Sequence, residues 1–105
     1  TTRYRRNVRM IRATGYENKG KNSVQRYVAD EEGKAGYLNW FNRYSASKVH
    51  DPGILRLQSS FQWQASEQRW YITLEIGTVR EDQLPAYLKE QRKQLDALFS
   101  CHRES

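Results

Sequence analysis

One cysteine, Cys101, stands in a chain of 105 residues. An internal disulfide is therefore impossible, and so is any zinc cluster built on several thiolates. Histidine is nearly as scarce, with His50 and His102 alone. No run approaches the roughly 20 apolar residues that a membrane span needs. The charged opening, with no apolar stretch behind it, does not read as a signal peptide, so a cytoplasmic location is expected. Gly15 and Gly20 do not form a phosphate-cradling P-loop pattern. Large aliphatic and Phe side chains are also few. Leu, Ile, Val and Phe number twenty, so the core must draw on the three Trp and seven Tyr as well. The length fits a single domain, 1–105, with one thin core.

What the chain does have is a local excess of positive charge. Arg3, Arg5, Arg6, Arg9, Arg12, Lys19, Lys21 and Arg26 lie within the first thirty residues, against Glu17 and Asp30 only. From residue 31 onward, ten Lys and Arg meet ten Asp and Glu. The whole net charge of +6 thus sits in the basic segment 1–30. A clustered basic segment is what a polyanion-binding surface needs, since each cation placed on a phosphate releases condensed counterions. Six of the eight are arginines, which suit bidentate phosphate contact better than lysine does. Tyr4, Tyr16 and Tyr27 are interleaved with them, as on many nucleic-acid surfaces. The competing explanation is a solvated edge strand whose charges discourage unwanted pairing.

Periodicity gives an outline of the fold. Residues 55–77 predict a β-hairpin. If its turn centres on Ser66 and Glu67, Trp63 faces Trp70, Phe61 faces Ile72, Ser59 faces Leu74 and Leu57 faces Ile76. A one-residue slip would move all of these apolar groups into water. The other face, with Gln58, Ser60, Gln62, Gln64, Arg69, Tyr71, Thr73 and Glu75, is polar and reads first as ordinary solvent-facing sheet, and second as an extension of the basic surface through Arg69, Tyr71, Gln62 and Gln64. Leu84, Leu88, Leu95, Leu98 and Phe99 predict a helix over 83–99, with Asp82 preferred as N-cap over a Thr78/Glu81 capping box. Tyr37, Trp40, Phe41 and Tyr44, widened by Leu38, predict a helix over 35–46 packed by its aromatic stripe. Breaks are expected over 15–22, 30–36 and 45–53.

The N-terminal third fits either a helix or a strand. Arginines near a helix N-terminus would oppose the macrodipole. A strand is preferred, paired with 23–29 through the 15–22 loop. The expected fold is α+β, a small antiparallel sheet in ββαββα order with two amphipathic helices on one face.

The function expected from this reading is a small, non-enzymatic nucleic-acid-binding domain for DNA or RNA, with the eight basic residues as its footprint and no metal or other cofactor. The rival from another class is a protein–protein module, homodimer or excised domain. A third reading is a small metal-independent nuclease with His50 as general base. His50 precedes an Asp-Pro-Gly turn, the commoner setting for a loop histidine. Cys101 and His102 are adjacent in sequence, so they rarely point at one another. A helix–turn–helix over 23–32 and 34 onward would present a recognition helix made of Tyr, Trp and Phe, with Lys34 and Arg43 as its basic groups, which is poor chemistry for base edges.

Overall fold

A computed structural model describes residues 10–101. Strands β1 (Ile11–Lys19) and β2 (Asn22–Ala29) lead into helix α1 (Glu31–Lys48). Strands β3 (Ile54–Gln64) and β4 (Arg69–Thr78) follow, and a single 3-10 turn at Glu81–Gln83 opens into α2 (Leu84–Cys101). The ββαββα order is as expected. All pairings are antiparallel, in the spatial order β1-β2-β4-β3. The two hairpins therefore meet through their second strands.

In the β3–β4 hairpin, Trp63 pairs with Trp70, Phe61 with Ile72, Ser59 with Leu74 and Leu57 with Ile76, the register that alternation requires. Ile72, Leu74 and Ile76 are buried. The N-terminal strand is also present, but the expected 15–22 loop is not. Its turn formers run on as strand to Lys19, and only Gly20 and Lys21 make the turn. The strand absorbs Gly15 through a bulge between Ala13 and Gly15, and Gly20 supplies the positive φ of 62° that the tight turn demands. The helix–turn–helix reading fails at the same place, because β2 pairs along its whole length with both β1 and β4.

Helix α1 starts four residues earlier than its stripe implied. Asp30 is the cap. Its Oδ1 accepts from Gly33 N at 2.7 Å and from Met10 N at 2.9 Å, and its own N–H donates to the Met10 carbonyl at 3.1 Å. Glu31 and Glu32 then suit the positive end of the helix dipole. Gly33, read from sequence as part of a break, is a packing glycine, because a Cβ there would run into the Met10 carbonyl. Tyr37, Trp40 and Tyr44 are buried and Phe41 is half-buried, so the stripe is core. Leu38 does not widen it; it is exposed.

Asp82 is not the cap of α2. It is spent on a two-point pair with Arg80, at 2.9 and 3.1 Å, while Gln83 Oε1 accepts from Arg80 N. The rival cap also fails, because the Thr78 hydroxyl lies within donating distance of the Lys21 and Arg80 carbonyls. Pro85, second in α2, sits where its missing N–H is not needed. Leu84, Leu88 and Leu95 are buried as the spacing implied. Between them the inner face holds Gln91, which is fully buried. Its side chain accepts from Gln25 Nε2 at 2.6 Å and donates to the Tyr44 hydroxyl at 3.3 Å. Gln25 in turn accepts from the Tyr27 hydroxyl at 3.1 Å. This satisfied polar chain joins sheet, α1 and α2 inside an aromatic core.

Both helices contribute to one cluster with Ile11, Tyr27, Ala29, Ile72 and Leu74. Tyr37 of α1 contacts Tyr27, Phe61 and Ser59, and α2 meets the sheet at Gln25, Tyr27 and Tyr16. Lys34 caps the aromatic end of the hairpin, 4.1 Å from the Trp70 ring centroid.

Candidate nucleic-acid interface

Strand alternation sorts the remaining sheet side chains onto the opposite face. Register then arranges them in four rows running β1, β2, β4, β3. The first row is Arg12, Val28, Tyr71, Gln62, and the second is Gly15, Arg26, Thr73, Ser60. The third is Glu17, Val24, Glu75, Gln58, and the fourth is Lys19, Asn22, Gly77, Arg56. Arg69 and Gln64 pair just beyond the first row. Five basic residues, Arg12, Lys19, Arg26, Arg56 and Arg69, thus share the face with the carboxylates Glu17 and Glu75.

The two carboxylates lie together in the third row and each takes one arginine. Arg26 Nη2 is 3.7 Å from Glu17, and Arg56 Nη1 is 3.7 Å from Glu75. Both are loose pairs, the first exposed and the second with Glu75 half-buried, of the kind worth about 0–1 kcal/mol. Arg12, Lys19, Lys21 and Arg69 form no ion pair among the described residues. Arg12 and Tyr71 lie on either side of Val28, about 10 Å apart at the usual strand spacing. The Tyr71 hydroxyl donates to Glu67, which pushes its pKa up, so the ring stays neutral and partly exposed.

Of the eight expected footprint residues, Arg3, Arg5, Arg6 and Arg9 lie outside the described residues. Arg12 and Arg26 are diagonal neighbours on the polar face. Lys19 stands on the same face at the hairpin end, and Lys21 lies in the turn beside it. Sequence reasoning gave Arg69, Tyr71, Gln62 and Gln64 a secondary place and did not single out Arg56. The missing fact was the β2–β4 pairing, which sets the polar side of one hairpin beside the basic side of the other. Nothing in either hairpin alone announces that neighbour.

Other chemistry is thinly supplied. His50 is exposed after α1. Its neighbour Asp51 is committed to the turn. It accepts from Gly53 N at 2.8 Å and from the Tyr87 hydroxyl at 2.9 Å, and these bonds lower its pKa in that order of importance. His102, the other histidine, lies outside the described residues. Among the described residues no group of three or more His, Cys, Asp and Glu could hold a metal. A cleft of about 400 Å³ between β1 and α2 is lined by Ala13, Tyr16, Gln25, Tyr27, Arg92 and Phe99, among others. Burial pushes Tyr27 up to about 12, which leaves it a neutral hydrogen-bond donor and a poor base. No helix among the described residues is long and apolar enough to cross a membrane.

No family model, no curated protein and no solved structure matches this chain.

Proposed function

We propose that this chain is a nucleic-acid-binding domain, that both helices lie on one side of the sheet, and that the polyanion runs over the other. The observation that carries the reading is the shared face of Arg12, Arg26, Lys19, Arg56 and Arg69, built by the pairing of β2 with β4. Arginine forks supply phosphate contacts, the Tyr71 ring supplies a stacking surface, and Gln58, Gln62 and Gln64 supply amides that donate and accept. Arg3, Arg5, Arg6 and Arg9 precede Arg12 in the sequence and bring four further positive charges. A sheet face suits a single strand laid across it better than a duplex groove, which takes a protruding helix or ribbon.

Fluorescence anisotropy with labelled single-stranded and duplex DNA and RNA, each at several salt concentrations, tests this. About four phosphate contacts give a log–log slope of roughly −3 on a single strand and roughly −3 to −4 on duplex DNA. A salt-independent signal, or none, removes the proposal.

A further inference from the structure

Among the described residues the sheet has two free edges, because β1 pairs only with β2 and β3 only with β4. They are built differently. The β1 edge carries Arg12, Glu17 and Lys19, and a bulge between Ala13 and Gly15 breaks its ladder. Charges and bulges are the usual means by which an edge resists pairing. The β3 edge is eleven residues long, and its one bulge is confined to the start, between Ile54 and Arg56. Residues 57–64, Leu-Gln-Ser-Ser-Phe-Gln-Trp-Gln, contain neither a charge nor a proline. Trp63 is 42 % exposed and the alternate residues Gln58, Ser60 and Gln62 are exposed as well.

We propose that β3 pairs with β3 of a second copy, antiparallel about a two-fold axis at Ser60. The strand is complementary to itself in this register. Gln58 of one copy meets Gln62 of the other on the polar face, where the amides can hydrogen-bond in both directions. Ser60 meets Ser60. On the helix side Leu57 meets Trp63, and Ser59 meets Phe61, a small group against a large one. No like charges oppose one another between 57 and 63. Such an isologous pairing closes as a dimer, and the defended β1 edge stops it from continuing into a filament. A foreign strand would need a matching polar and apolar alternation, which a second copy supplies by symmetry. The result is an eight-stranded sheet with two copies of the basic face. The inference stands on the edge alone, and does not need the nucleic-acid reading.

Light scattering coupled to size exclusion, on the full chain freed of nucleic acid, tests it. The expected mass rises with concentration towards twice the 12.5 kDa of one chain. The triple variant Gln58→Lys/Ser60→Lys/Gln62→Lys sets three pairs of like charges across the axis. It is expected to weaken association by on the order of a hundredfold, with an unchanged circular dichroism spectrum. Gln58→Lys/Gln62→Glu alters two of the same positions but places opposite charges face to face, so it is expected to remain a dimer of at least the parent's affinity. A monomer at every concentration would overturn the proposal. So would open-ended oligomers, a dimer indifferent to the triple variant, or a charge-paired variant as weak as the triple.

Discussion

The two hairpins have the same topology, but β4 in one and β1 in the other have opposite characters. In β3–β4 one face carries Leu57, Phe61, Trp63, Trp70, Ile72, Leu74 and Ile76 with Ser59 among them, and Ile72, Leu74 and Ile76 are essentially removed from water. In β1–β2 the first strand has one buried residue, Ile11, and eight exposed ones. β4 is held by what it buries, as is β2 with Ser23, Gln25, Tyr27, Val28 and Ala29, whereas β1 is held by its backbone ladder to β2 and by Asp30, whose side chain ties Met10 to the start of α1. A strand fixed by burial has no freedom to carry function on its covered face. A strand fixed by backbone pairing can leave nearly all its side chains to solvent, and β1, with Arg12, Glu17 and Lys19, does so.

The sharpest way to break this contrast is to remove one large side chain from each hairpin. Leu74→Ala, at a fully buried site, is expected to cost about 2–5 kcal/mol. Tyr16→Ala on β1, where the ring is 59 % exposed with Arg92 over it at 5.1 Å, is expected to cost less than about 1 kcal/mol. Urea denaturation measures both, and similar losses would remove the distinction.

Next in size is the joint between the hairpin and α1. Ala ordinarily stabilises a helix interior over Gly by about 1 kcal/mol. At Gly33 the sign should reverse, because the new methyl group meets the Met10 carbonyl, and a net loss of roughly 1–3 kcal/mol is expected. A stabilised Gly33→Ala variant would show that β1 does not seat against the helix there.

A third effect separates the aromatic core from the polar face by pH. Burial holds Tyr27 and Tyr44 up at about 12, against 10 for the free phenol, and pushes Tyr37 up as well. A raised folded-state pKa means that the native state keeps its proton longer. That stability is complete below pH 10 and is lost as pH climbs from 10 towards 12. Denaturation midpoints followed together with phenolate absorbance should fall over that window, with the buried rings ionising only on unfolding. Full phenolate formation in the native state before unfolding would contradict this.

The legibility of the fold followed the same division. The β3–β4 register was readable because a slip would expose Trp63, Trp70, Phe61 and Ile72 together. The α1 stripe was readable because Tyr37, Trp40, Phe41 and Tyr44 repeat at helical spacing. The start of α1 was misjudged because Gly33 and Gly36 look like breakers, whereas Gly33 serves a close approach to Met10 that sequence cannot show. Turn formers at 15–19 concealed a strand that β2 imposes through the ladder. Gln91 passed unnoticed on the inner face of α2, since its partners Gln25 and Tyr44 are 66 and 47 residues away. Of the candidate site, the charge was plain and the surface was not. Arg12 could be named from composition, but its setting beside Tyr71, Gln62 and Arg69 depends on strand order.

Binding of a polyanion across that shared face is tested most directly by one titration. Anisotropy of a labelled single-stranded oligonucleotide would be followed against salt for the parent chain, for Arg12→Ala/Arg69→Ala, and for Lys89→Ala/Lys93→Ala on the exposed side of α2. The sheet variant is expected to bind more weakly and to flatten the log–log slope by about 1.4, two contacts at roughly 0.7 each, with the helix variant close to the parent. Unaltered binding by the sheet variant, or a loss confined to the helix variant, would place the polyanion elsewhere and contradict the central claim.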